Sequence, residues 1–112
     1  MEISHRIENG ICVIDVADKL TRDKTKNLQS YAVALLSQDI KALLFNVSDS
    51  KKIDSDGLGT LMLVSKRATE HEVQFAICSP NNYTSMILDV TSIDKILSVY
   101  QTEEEALSAL AG

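Results

Sequence analysis

Residues 43–62 read LLFNVSDSKKIDSDGLGTLM, and the way this stretch divides decides the fold. From Lys41 to Val47 the chain is almost continuously apolar, the pattern of a central strand covered on at least one face. From Leu58 onward Leu58, Leu61, Met62 and Ser65 to Ala68 recur at helical spacing, with Lys66, Arg67 and Glu70 on the wet side. A strand therefore runs into a helix. Between them IDSDGLGT (53–60) concentrates Asp54, Ser55, Asp56 and two glycines where the helix begins. Such a turn suits a cation site, a catalytic carboxylate, or a surface that is phosphorylated and read by a partner.

Working outward, Ile3, His5 and Ile7 alternate with polar neighbours, and ENG (8–10) separates them from ICVIDVA, which predicts a hairpin. Leu28, Tyr31, Ala32, Leu35 and Leu36 mark one face of a first helix, with Thr21 as its N-cap and Asp23 in its first turn. Past the motif helix, VQFAIC (73–78) reads as a further buried strand, ended by Ser79 and Pro80. Asn81 or Asn82 can cap the next helix, whose inner residues are expected to be Met86, Ile87 and Val90. ILSVY (96–100) predicts an edge strand. Thr102 with Glu105 forms a capping-box pattern before a last helix facing inward through Ala106, Leu107 and Leu110. Strands and helices alternate after the hairpin, so strands two, three and four should be parallel with right-handed crossovers, in one domain over residues 1–112.

Composition narrows the function. The chain is 45% apolar and 24% charged with no apolar run near the roughly 20 residues that span a bilayer, so a soluble domain is expected, without membrane insertion. The first ten residues lack the features of a signal peptide, which places the expected location in the cytoplasm. Cys12 and Cys78, isolated in apolar strands, read as small buried hydrophobes. A net charge of -5 with no basic stripe argues against nucleic acid.

The motif turn fails the small-ligand tests. Aligned to a calcium loop through Asp54, Asp56 and Gly57, it puts Lys52 at the first ligand position and Leu63 at the last, which repels the ion and removes its bidentate ligand. GLG is followed by neither the lysine nor the third glycine of the phosphate-binding fingerprints. Asp49, Asp54 and Asp56 cluster in sequence, but catalysis needs a second acid, a lysine or a metal converging from other strand ends, and a turn rich in Asp, Ser and Lys reads as a solvated, capped loop, so no catalytic residue, cofactor or metal is expected. His5 and His71 pair with nothing at metal spacing. What remains is a helix N-terminus, where the macrodipole favours negative charge and Gly57 and Gly59 would let a partner's backbone or a phosphate approach. Asp54 or Ser55 capping the helix accounts for the same residues.

At this point the stretch 43–62 resembles the core motif of the STAS domains, the family of bacterial anti-sigma factor antagonists, which reads like LDLS…IDSSGLG. The hairpin MEISHRIENGICVIDVADKL, the CSP at 78–80 and the C-terminal LDVTSIDKILSVYQTEEEAL extend the resemblance over nearly the whole chain. It implies a small mixed sheet of four to five strands with about four helices packed largely on one side. It implies a non-enzymatic module that binds an anti-sigma factor, itself a serine kinase, or a related regulatory protein; the alternative is a subunit scaffolding a sensory or lipid-transport complex. Binding residues are then expected at Ser55, Asp56, Gly57, Leu58 and Gly59, with Lys66 on the following helix and Thr21 and Arg22 completing the patch. One position departs from the family pattern: Asp56 stands where relatives carry the phosphoacceptor serine, while Ser55 matches the first serine. Asp18 and Thr21 also stand where the family often has glycine and aspartate.

Overall fold

A computed structural model describes residues 3–16, 18–20 and 22–112, apart from the side chains of residues 18, 19 and 22–24. The elements run β1 (Ile3–Glu8), β2 (Ile11–Val16), β3 (Asp18–Leu20), α1 (Arg22–Leu35), β4 (Ala42–Asn46), β5 (Ser50–Ile53), α2 (Ser55–Glu70), β6 (Gln74–Cys78), α3 (Asn82–Val90), β7 (Ser98–Tyr100) and α4 (Glu103–Ala111). A short 3-10 turn, Ile93–Lys95, links α3 to β7. Five strands form one sheet in the order β1-β2-β4-β6-β7. β1 pairs antiparallel with β2, and all other neighbours in this sheet are parallel. This is the mixed sheet expected from the sequence.

The hairpin turns on Asn9 and Gly10, whose φ values of 52° and 80° belong to the left-handed region that a two-residue hairpin loop requires. Alternation then sorts the strands between two cores. Cys12, Ile14, Leu43, Phe45 and Ile77 face α1, α2 and α3, which bring Leu28, Ala32, Leu61, Val64, Ala68 and Leu88 to the same cluster, joined by Leu36 just past α1. Ile11, Val13, Ala42, Leu44, Ala76 and Cys78 face the other way, where Ala106 and Leu110 of α4 cover them. Three helices thus share one face and α4 alone takes the other.

Two features differ from the sequence expectation. β3 and β5 form a second, two-stranded parallel sheet, with Asp18 opposite Ser50 and Leu20 opposite Ile53. On α3 the buried residues are Thr84 and Leu88, whereas Met86 and Val90 point to solvent and Ile87 is half-buried. The physical reason is position. α3 packs chiefly on β5 and on the short 3-10 turn, and it buries only Thr84 and Leu88, with Leu88 in the larger core cluster. Thr21, expected to cap α1, lies outside the described residues.

Candidate partner-binding site

The motif turn is built from the inside. β4 delivers the chain to a loop at the carboxyl end of the sheet, β5 carries it back against β3, and α2 starts immediately after Ile53. Asp54 is extended (φ -114°, ψ -173°), and its Oδ1 accepts from the Gly57 backbone N–H at 2.9 Å, while the Leu58 N–H donates to the Asp54 carbonyl at 2.9 Å. The Asp54 N–H in turn donates to the Leu20 carbonyl at 3.1 Å. One residue therefore fastens the helix start to the segment that precedes α1.

Gly57 completes that joint. It is buried, and a Cβ there would lie 2.1 Å from the Leu20 carbonyl oxygen and 2.9 Å from Cγ1 of Ile53. Its missing side chain makes room for the protein's own β3, so the expectation that Gly57 admits a partner is corrected. Gly59 differs: it is exposed, and a Cβ there would meet nothing within 4 Å.

The outer side of the turn presents Ser55 and Asp56, both exposed. Asp56 is the acidic residue of the first turn, where its charge lies favourably against the positive end of the helix dipole. Leu58 is half-buried and packs partly on the core, so only its outer edge is available. Through the Leu20 carbonyl the start of α1 at Arg22 comes next to this turn. Lys66 is exposed but sits ten residues after Asp56, about 15 Å along the helix, and is not part of the turn.

A second polar cluster escaped the sequence reading. Arg6 Nη1 donates to Asp15 Oδ2 at 3.2 Å, Arg6 Nη2 pairs with Glu103 Oε2, and Asn46 Nδ2 donates to Glu103 Oε1 at 2.9 Å. Burial pushes the Glu103 carboxyl up, but the hydrogen bonds from Asn46 and Arg6 and the guanidinium charge outweigh it and hold the group below its ordinary value. Arg6 is raised by the same hydrogen bond to Glu103. These groups satisfy one another and fasten α4 to the sheet. Beneath α4 the Cys78 thiol is pushed up to about 11 by burial and stays protonated. Among the described residues no three His, Cys, Asp or Glu side chains converge as a metal site, and no helix is long and apolar enough to cross a membrane.

Fold and turn together define an α/β module, a five-stranded mixed sheet with a small two-stranded sheet, whose distinctive surface is a capped, glycine-flanked helix N-terminus. The model of the STAS domain family matches residues 2–106. A Thermotoga neapolitana protein named as a candidate anti-sigma factor antagonist is 32% identical over 77 residues, covering 69% of this chain and 68% of the relative. The crystal structure of a candidate anti-sigma factor antagonist from Thermotoga maritima superposes with a TM-score of 0.92 at 22% identity, over 98% of this chain and 95% of that one. The anti-sigma factor antagonist SpoIIAA in its unphosphorylated form gives 0.81 at 14% identity, over 97% and 96% of the two chains. The chain belongs to the STAS domain family, and its fold is that of the anti-sigma factor antagonists within it.

Proposed function

We propose that this chain is a non-enzymatic protein-binding module of the anti-sigma factor antagonist type, which engages a serine-kinase-like anti-sigma factor through the first turn of α2. The observation that carries this reading is the division of labour in the turn: Asp54 and Gly57 are spent on the fold, while Ser55, Asp56 and Gly59 face outward without being needed by it. At Asp56 the charge is permanent. A phosphoserine carries about -1.5 to -2 and three acceptor oxygens, so a carboxylate with one negative charge supplies part of that field and cannot be removed by a phosphatase. The module binds in one fixed electrostatic state.

Calorimetric titration of the purified chain against the host's purified serine-kinase-like anti-sigma factors tests this directly. At least one should bind. Gly59→Gln, which enters open space, should weaken that binding at least tenfold, about 1.4 kcal/mol, with the unfolding midpoint unchanged or raised. Undiminished affinity would remove the turn from the interface.

Ser55 favours a second reading, because its exposed position as the first residue of α2 leaves the hydroxyl open to a kinase. A switch moved to Ser55 would place phosphate at the same helix end. Phosphopeptide mapping of the chain isolated from cells would show the modification, and an unmodified Ser55 under every growth condition would end this version.

A further inference from the structure

α3 carries more apolar surface than the core uses. At 100° per residue, Tyr83, Met86, Ile87 and Val90 fall within an arc of about 100° on one side of the helix, while Thr84 and Leu88 face inward. Tyr83 is 47% exposed, Met86 53% and Val90 75%. Single exposed hydrophobes need no explanation, but three on one helical face form a patch of the kind that marks an interface. Asp89 is the only charged residue on α3, and it lies outside this arc.

The start of α3 is joined to the strand that leads into the motif turn. Asn81, the cap of α3, accepts from the Thr84 N–H at 2.7 Å and donates from Nδ2 to the Ser50 carbonyl at 3.3 Å, so the start of α3 is tied to β5, the strand that leads into Asp54. α3 follows β6 of the five-stranded sheet, α2 follows β5 of the two-stranded sheet, and α3 packs against β5. Between them β5 exposes Lys51 and Lys52.

We infer that the outer stripe of α3 is the second half of the partner-binding face, and that the protein which reads the α2 turn lays an apolar patch on Tyr83, Met86 and Val90, flanked by acidic groups that meet Lys51 and Lys52. This rests on the reading of the turn given above. Area and charge select that occupant over a second copy. Three partly exposed side chains cover far less than the roughly 800 Å² per partner that a stable complex buries, so α3 alone does not sustain a dimer but does extend an interface centred elsewhere. Two copies that each carry a net charge of -5 also repel.

The test uses the full chain and the same purified anti-sigma factors. Met86→Glu and Val90→Glu, both at exposed positions, should each weaken binding tenfold or more with the urea unfolding midpoint unchanged, and the bound partner should slow peroxide oxidation of Met86. If Gly59→Gln abolishes binding while both α3 variants bind like the unaltered chain, the inference is overturned and the turn remains the site. A concentration-dependent dimer in sedimentation, lost on Met86→Glu, would assign the stripe to a second copy and overturn it as well. Binding of the unaltered chain to none of the anti-sigma factors would defeat the proposed function itself, and the inference with it.

Discussion

α2 and α3 begin with the same device and end as different kinds of helix. Each follows a parallel strand, and each is capped by a short polar side chain whose oxygen accepts from the backbone N–H three residues on, Asp54 from Gly57 at 2.9 Å and Asn81 from Thr84 at 2.7 Å. α2 then runs 16 residues and buries Thr60, Leu61, Val64 and Ala68 along its length. α3 runs nine residues and buries only Thr84 and Leu88. The cap is local chemistry, and both sequences contain it. Which face turns inward depends on what packs beside the helix, and α3 packs chiefly on the short strand β5 and the 3-10 turn.

The sharpest way to break this comparison is to remove side chains from the two sides of α3. Leu88→Ala should cost about 3 kcal/mol, as large-to-small changes in a core do, whereas Met86→Ala should stay within about 0.5 kcal/mol. Urea unfolding measures both, and similar losses would mean that α3 is turned differently from the structure described. Next come the two glycines of α2. Gly57→Ala drives a methyl group into the Leu20 carbonyl and should cost about 2 kcal/mol. Gly59→Ala in open space should stabilise the helix by about 0.5–1 kcal/mol. Opposite signs are the expected outcome, and a matching loss at Gly59 would show that its surroundings are closed.

The caps rank third. Asp54→Ala and Asn81→Ala should each cost about 1 kcal/mol, and thermal unfolding of the pair shows whether the shared geometry carries a shared energy. The smallest effect belongs to α4. Glu103 has its folded pKa below its unfolded value, so its contribution is fully present above the unfolded pKa and is lost as pH falls through the folded one. Because the Arg6 side chain is 41% exposed, screening holds that contribution under about 1 kcal/mol. Unfolding measured between about pH 6 and 3 should show a shallower acid decline in Glu103→Gln than in the unaltered chain, and identical slopes would remove Glu103 from the linkage.

Much of the architecture was legible from pattern alone. The hairpin at Asn9 and Gly10, the parallel order of β2, β4 and β6, the cap at Thr102 and the buried face of α1 all follow from local signals that tertiary packing left intact, and the same signals narrow the other two caps to Asp54 or Ser55 and Asn81 or Asn82, of which the structure uses Asp54 and Asn81. The rest depended on residues far apart in sequence. β3 and β5 are three and four residues long, and SKKI reads as a polar turn until Leu20 is brought beside Ile53. Gly57 looks like an opening for a ligand until the Leu20 carbonyl occupies that opening. Arg6 and Glu103 are separated by 97 positions, and neither has a local pattern that names the other. α3 failed for a different reason. Its apolar arc is wider than the share the core buries, and spacing alone places the middle of the arc inward.

The proposed function turns on Asp56, an exposed carboxylate in the first turn of α2, supplying a fixed charge in place of a removable phosphate. The most direct measurement incubates the unaltered chain and Asp56→Ser with the serine-kinase-like anti-sigma factor that binds them and radiolabelled ATP. Label is expected on Asp56→Ser and none on the unaltered chain. Label at Ser55 of the unaltered chain, or no label on Asp56→Ser despite binding, would contradict it.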